Sequence, residues 1–220
     1  MLKRLTIAIF MAILSTSPIF AKTFSLEAQY GFGAINIPTD GIKLKGTAQE
    51  AGLRAIFFTT NFTHEILGKS TFTSSIDDHS SYKYSNWEAE YRFGARMDND
   101  MQKLGMLEGS AYLGLGYESL MRKTTYKSTI NYIYLPFGFW GEDSAGTSGL
   151  KVRYGLNFKA MLFDDSSGGF DWDFLLGGKV YAGIAYSFGG VMDIFAQAYY
   201  SYNIPVKSTH TYGIEAGFKF

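Results

Sequence analysis

No cysteine occurs anywhere in the 220 residues, and only four residues are proline. Without cysteine an exported chain has no disulfide staples, so its stability must come from burial and hydrogen-bonded ladders. The 20 basic residues are balanced by 20 acidic ones. No basic excess therefore argues for nucleic acid, and no charge block argues for a disordered tail. Only three histidines are present, His64, His79 and His210, and none has metal-ligand spacing to another histidine or a carboxylate pair. No phosphate-cradling glycine loop is found. Past Ala21 no stretch is apolar enough for a membrane-crossing helix, so any crossing has to be made by strands.

The two ends of the chain carry the address. Lys3 and Arg4 precede an apolar run from Leu5 to Leu14, then a polar stretch from Ser15 to Pro18 and Ile19-Phe20-Ala21. That run is shorter than the roughly 20 residues of a spanning helix and fits a cleavable export signal, with the cut after Ala21. Residues 1–21 are thus read as a signal peptide and 22–220 as one barrel domain. Removing Lys3 and Arg4 leaves 18 basic residues against 20 acidic ones, a net charge of −2. At the far end Tyr212, Ile214, Ala216, Phe218 and Phe220 alternate with Thr211, Gly213, Glu215, Gly217 and Lys219. An amphipathic strand closed by a terminal aromatic resembles the C-terminal signature of Gram-negative outer-membrane β-barrels. The resemblance implies the cell outer membrane as the location, and contact with the barrel-assembly machinery through Phe220.

Period-two alternation dominates the interior. Phe24, Leu26, Ala28, Tyr30 and Phe32 oppose Ser25, Glu27, Gln29 and Gly31. Trp87 to Met97 and Val152 to Leu162 repeat the pattern, with Glu88, Glu90, Arg92 and Arg96, then Arg153 and Lys159, on the polar face. Softer alternation marks 51–57, 107–117, 176–188 and 194–202. The run from Ile130 to Trp140 is apolar on both faces, and Pro136 within it predicts a bulge. These runs and the ending make nine strands. Bacterial single-chain barrels have an even number, and 62–73 supplies a tenth, with Ile66 and Phe72 opposing Glu65 and Lys69. The fold expected is an all-β, antiparallel, up-and-down transmembrane barrel of ten strands, with eight as the alternative. Turns are expected at 98–103, at 141–148 and as a two-residue hairpin at Gly189-Gly190. The opposite, outer loops fall at 34–47, 74–85, 121–128, 163–173 and 203–208.

Aromatics form 17% of the chain while its mean hydropathy is only −0.04. Pointed inward, so many rings would overfill a small barrel. Pointed outward, they make a lipid-facing band with aromatic girdles, and glycines such as Gly114, Gly155 and Gly217 relieve the interior. The lumen then holds charges of both signs, among them Glu27, Glu90, Arg92, Arg96, Arg153, Lys159 and Glu215, together with Glu50, Arg54, Glu88, Glu108, Lys179 and Lys219. Buried charge is costly unless paired, so a salt-bridged plug is expected in preference to an open conduit.

Rim residues suggest little chemistry. Asp77-Asp78-His79 and Asp164-Asp165 with Asp171 and Asp173 are solvated loop acids or, at most, oxygen ligands for a divalent cation bridging lipopolysaccharide phosphates. His79-Ser80-Ser81 invites comparison with outer-leaflet lipid-modifying enzymes but has no fixed acid partner. Arg122, Lys123 and Lys127 are solvated bases or point charges toward phosphate. Asn61-Phe62-Thr63 matches a glycosylation sequon of no weight here. The segments 112–120, 132–138 and 204–220 resemble a family of small outer-membrane β-barrel proteins. That resemblance implies fold and location, and no catalytic residues. No cofactor, metal or nucleic-acid partner is expected. The partners expected are outer-membrane lipid and lipopolysaccharide, with the ligand unknown. The function expected is non-enzymatic, structural or surface-contacting, with a narrow ion or solute channel as the alternative and an outer-leaflet enzyme after that.

Overall fold

A computed structural model describes residues 24–39, 42–76, 83–98, 106–123, 127–146, 149–164, 176–189, 191–203 and 209–220. The proposed signal peptide lies outside these residues, as do His79, Asp77, Asp78, Asp165, Asp171 and Asp173. Ten strands follow in order: β1 (Phe24–Thr39), β2 (Ile42–Phe58), β3 (Phe62–Ile76), β4 (Lys83–Arg96), β5 (Met106–Lys123), β6 (Lys127–Ser144), β7 (Leu150–Asp164), β8 (Leu176–Phe188), β9 (Met192–Asn203) and β10 (Thr209–Lys219). Each is antiparallel to its chain neighbours, and β1 pairs with β10 to close the barrel, so no sheet edge is left open. Phe220 continues that seam by exchanging backbone hydrogen bonds with Leu26, both 3.0 Å.

The alternation sorts side chains as the pleat requires. Tyr30, Phe32, Leu53, Ile66, Trp87, Leu113, Ile184 and Ile214 all stand exposed on the outer wall. Glu27, Glu65, Glu118 and Glu215 are fully or almost fully buried inside. The run from Ile130 to Trp140, ambiguous in sequence, resolves with Tyr132, Tyr134 and Trp140 inward and Ile133 and Phe139 outward.

Several expectations need correction at the strand ends. The segment 34–47 is mostly paired strand, since β1 and β2 are registered from Phe24↔Phe57 out to Thr39↔Ile42. The segments 74–85 and 121–128 likewise yield residues to β3, β4, β5 and β6. The reason is a phase change in the polar pattern. On β1 the outward row ends in Ala34 and Asn36, while Ile35 and Ile37 are wholly buried inside. The barrel wall thus continues past the apolar band with its apolar side turned inward.

Pro136 does not carry a bulge. The β5–β6 register holds across it, from Leu113↔Phe137 to Gly116↔Tyr134, with the ladder merely interrupted. The extra residue is Leu162 on β7, between Ile133↔Phe163 and Tyr134↔Met161. β6 runs on to Ser144, so residues 141–144 of the turn expected at 141–148 are strand. Beyond them Gly146 (φ 97°) and Gly149 (φ 76°) take positive φ, and Ala145 N–H donates to Leu150 O at 2.9 Å. The hairpin at Gly189 has three residues rather than two, because Phe188 is registered with Met192. Val191 N–H donates to Phe188 O across it at 3.2 Å.

Candidate functional site: the charged lumen

Charges inside a ten-strand barrel come within reach of one another because the lumen is narrow and inward positions recur on every strand. They assemble into two runs of alternating sign. In the first, near the chain termini, Lys219 Nζ on β10 bridges Glu108 on β5 and Glu142 on β6, the latter at 2.8 Å. Glu142 meets Arg153 Nε on β7 at 2.9 Å, and Arg153 reaches across to Glu27 on β1 at 3.0 Å. Glu27 lies 3.5 Å from Arg54 on β2, which donates through Nη2 to Glu65 on β3 at 2.9 Å. Glu65 is 3.8 Å from Arg92 on β4, and Arg92 Nε donates to Glu90 at 2.6 Å. Rings support each guanidinium: Arg54 lies over Trp140 at 4.5 Å, Arg92 over Tyr112 at 4.4 Å and Arg153 over Phe195 at 3.8 Å.

The spare oxygens are used too. Trp140 Nε1–H donates to Glu65 at 2.7 Å and Tyr134 O–H to Glu90 at 2.8 Å. Ile56, Phe58, Tyr112 and Trp140 form an apolar cluster at this end.

The second run lies nearer the loops and uses lysines alone. Lys179 on β8 pairs with Glu215 on β10 and, at 3.3 Å, with Glu50 on β2. Lys69 on β3 joins Glu50 at 3.9 Å to Glu88 on β4 at 3.0 Å. Lys159 on β7 then joins Glu88 to Glu118 on β5, the latter at 3.0 Å. Amides complete the shell: Gln197 donates to Glu215 at 2.8 Å, and Asn86 and Asn203 to Glu118 at 2.6 and 3.0 Å. Gly31 is registered with Glu50 on one side and Glu215 on the other. A Cβ there would stand 2.8 Å from Glu215 Cγ, so glycine leaves the carboxylate its place.

Between the runs is a cavity of about 90 Å³ bordered by Glu27, Arg54, Lys69, Asn157, Lys179 and Gln197, with room for several waters. Above it, toward the loops, Ile35, Ile37, Leu44, Ile76, Tyr84, Leu120, Tyr132 and Met161 pack into a second apolar cluster drawn from β1 to β7.

Of the seven charges singled out from sequence, Glu27, Arg153, Arg92 and Glu90 fall in the first run, and Lys159 and Glu215 in the second. Arg96 joins neither. It pairs with Asp98 at the terminal rim and donates to Thr59 O at 2.9 Å. Sequence reasoning passed over Glu65, Lys69, Glu118 and Glu142 as lumen charges. Glu65 and Lys69 sit in the weakly patterned tenth strand, and Glu142 in a stretch read as turn. For Glu118 the continuing alternation beyond Tyr117 was the available signal. The two other histidines lie on the outer wall, not at a site: His64 hydrogen-bonds Tyr91 at 2.8 Å and His210 hydrogen-bonds Tyr200 at 2.6 Å.

No protein-family model matches the chain, and no curated protein does. Among solved structures the barrel is similar to the translocator domain of the autotransporter NalP from Neisseria meningitidis. The TM-score is 0.50 and the identity 12%, over 99% of this chain and 95% of that one. Two other similar structures are the transport unit of the autotransporter AIDA-I from Escherichia coli (TM-score 0.47, 11% identity, 97% and 96% covered) and the attachment invasion locus protein Ail of Yersinia pestis (TM-score 0.40, 12% identity, 90% and 99% covered). At such identity the NalP comparison speaks for the fold alone, a closed outer-membrane β-barrel.

Proposed function

We propose that this chain is an integral outer-membrane barrel that seals its own lumen and acts without catalysis, as a structural or surface-contacting element of the envelope. The observation that carries this reading is the unbroken run of alternating charges from Glu108 to Glu90, which ties β5, β10, β6, β7, β1, β2, β3 and β4 across the lumen. A conduit lined by charge needs ions free to exchange with water. Here each cation is held by carboxylates, and Arg54, Arg92 and Arg153 also lie against rings. The outer wall supports insertion, since an apolar belt rimmed by aromatic residues is the surface a barrel turns to hydrocarbon. Lipid and lipopolysaccharide are its proposed neighbours. Phe220, with its ring exposed at the β1–β10 seam, is the proposed contact for the assembly machinery.

The alternative is a narrow channel. It is favoured by the cavity between the two runs, where Asn157 Oδ1 and Gln197 Oε1 have no hydrogen-bond partner. Planar-bilayer recordings of refolded protein separate the two. The native barrel should be silent, and Glu142→Ala combined with Arg153→Ala should open discrete conductance. Steady native conductance, changed in ion selectivity by Arg153→Glu, would replace the sealed barrel with the channel. Turnover of lipopolysaccharide or peptide by the native chain, lost on His79→Ala, would overturn the non-catalytic reading.

A further inference from the structure

The belt on the outer wall has a notch. The register aligns Phe158, Gly178 and Tyr202 in one row across β7, β8 and β9, and Leu156, Val180 and Tyr200 in the next outward row toward the termini. Where its neighbours carry rings, Gly178 carries nothing, and a groove of about 420 Å³ opens over it. The side chains that face the groove are aliphatic or aromatic: Leu156, Phe158, Val180, Tyr200 and Tyr202. Of the polar lining residues, Asn157 faces the lumen cavity. Tyr200 Oη is bound to His210, and Lys179 points into the lumen toward Glu50 and Glu215. The groove is continuous with the exposed belt, to which Phe158, Val180 and Tyr200 themselves belong.

A recess with hydrocarbon walls, opening sideways into hydrocarbon, suits a flexible chain better than a folded partner. We infer that the groove over Gly178 seats one acyl chain of a bilayer lipid. The lipid's polar end lies at the loop side, beside the Tyr202–His210 pair, whose rings are 5.0 Å apart. Aromatic and imidazole groups at that height suit the interface between chain and headgroup. Glycine at 178 is required twice over: a Cβ would meet Asn157 O at 2.8 Å, and anything longer would fill the seat. The inference rests on the lipid-facing reading of the outer wall.

The test uses the full mature chain, delipidated in mild detergent and titrated with dipalmitoylphosphatidylglycerol, with adducts counted by native mass spectrometry. The native barrel should retain one lipid after a second lipid has been stripped away. Val180→Trp, which narrows the groove without touching the Gly178 backbone, should weaken that adduct about tenfold, the loss that corresponds to about two methylenes no longer buried. Gly178→Leu should abolish it, and Ile214→Trp, elsewhere on the belt, should leave it unchanged. Should Gly178→Leu fail to fold, the Val180→Trp and Ile214→Trp pair decides alone. An adduct equally strong in Val180→Trp, equally weakened in Ile214→Trp, or replaced by a protein dimer would overturn the inference. Flotation of the same proteins with lipid vesicles keeps the two readings apart. A native chain that stays at the bottom of the gradient refutes membrane insertion itself. A Val180→Trp chain that floats but keeps its lipid refutes only the seat.

Discussion

Toward the termini the lumen is bridged by Arg54, Arg92 and Arg153, all lying on rings, with Lys219 at the end of the run. Toward the loops it is bridged by Lys69, Lys159 and Lys179, of which only the last two stand over rings, and both sets border the cavity between them. The arginine side chains are 9%, 8% and 4% exposed, and the lysines 10%, 15% and 14%. The chemistry follows the hydration. A guanidinium is planar, weakly hydrated and able to stack, so it serves several carboxylates in a dry, ring-lined space. An ammonium is a compact charge that keeps its donors satisfied more readily where water or amides are near. The lysine run accordingly borrows Asn86, Asn203 and Gln197, whereas the arginine run borrows Trp140 and Tyr134. One end of the lumen is thus a rigid brace, and the other a more adaptable one.

The sharpest way to break that contrast is to remove one cation from each run. Arg54→Ala removes the cation that Glu27 and Glu65 share, leaving Glu27 to Arg153 alone and Glu65 to Trp140 and the more distant Arg92. It should cost about 3–5 kcal/mol, read as loss of the heat-modifiable compact band at lower urea. Lys159→Ala exposes Glu88 and Glu118 to the cavity, where water and amides partly replace the ammonium. A smaller loss of about 1–3 kcal/mol is expected in the same assay. Equal losses would mean that hydration does not distinguish the two runs. Arg54→Lys keeps the charge but gives up the fork and the stacking on Trp140, for about 1–2 kcal/mol. A neutral outcome there would deny the ring a role. Gly31→Ala in the lysine run presses on Glu215 Cγ, midway along a side chain whose carboxylate Lys179 and Gln197 hold, and should cost about 1–2 kcal/mol. A much larger value would show the lysine run to be as rigid as the arginine one.

Much of this architecture was legible in the chain. The alternations at 24–32, 87–97 and 152–162 predict both the strands and their outward faces, and the parity of strand number predicts the weak tenth strand at 62–73, which forms β3. The outer ends of β1 to β6 were not legible as strand. Beyond Ala34 the apolar residues move to the inward row, so a reader following the lipid-facing row sees the pattern stop. Ile35 and Ile37 are the particular signal: two buried aliphatics separated by Asn36, one phase removed from Tyr30 and Phe32. Pro136 misled for a different reason. A missing N–H interrupts one ladder without inserting a residue, and the bulge went to Leu162 on the adjacent strand.

Where alternation is clear, the strands, the faces of their residues and the balance of acids and bases were determined by the chain alone, because the pleat has a period of two and acts over nearest neighbours. Which acid meets which base was decided only by closure. Arg153 and Glu27 stand 126 residues apart in sequence, and Lys219 and Glu142 are 77 apart. Their meeting depends on how far the register shifts around ten strands before the barrel joins β1 to β10. No local pattern carries that quantity, since it is a sum over every strand pair in the molecule.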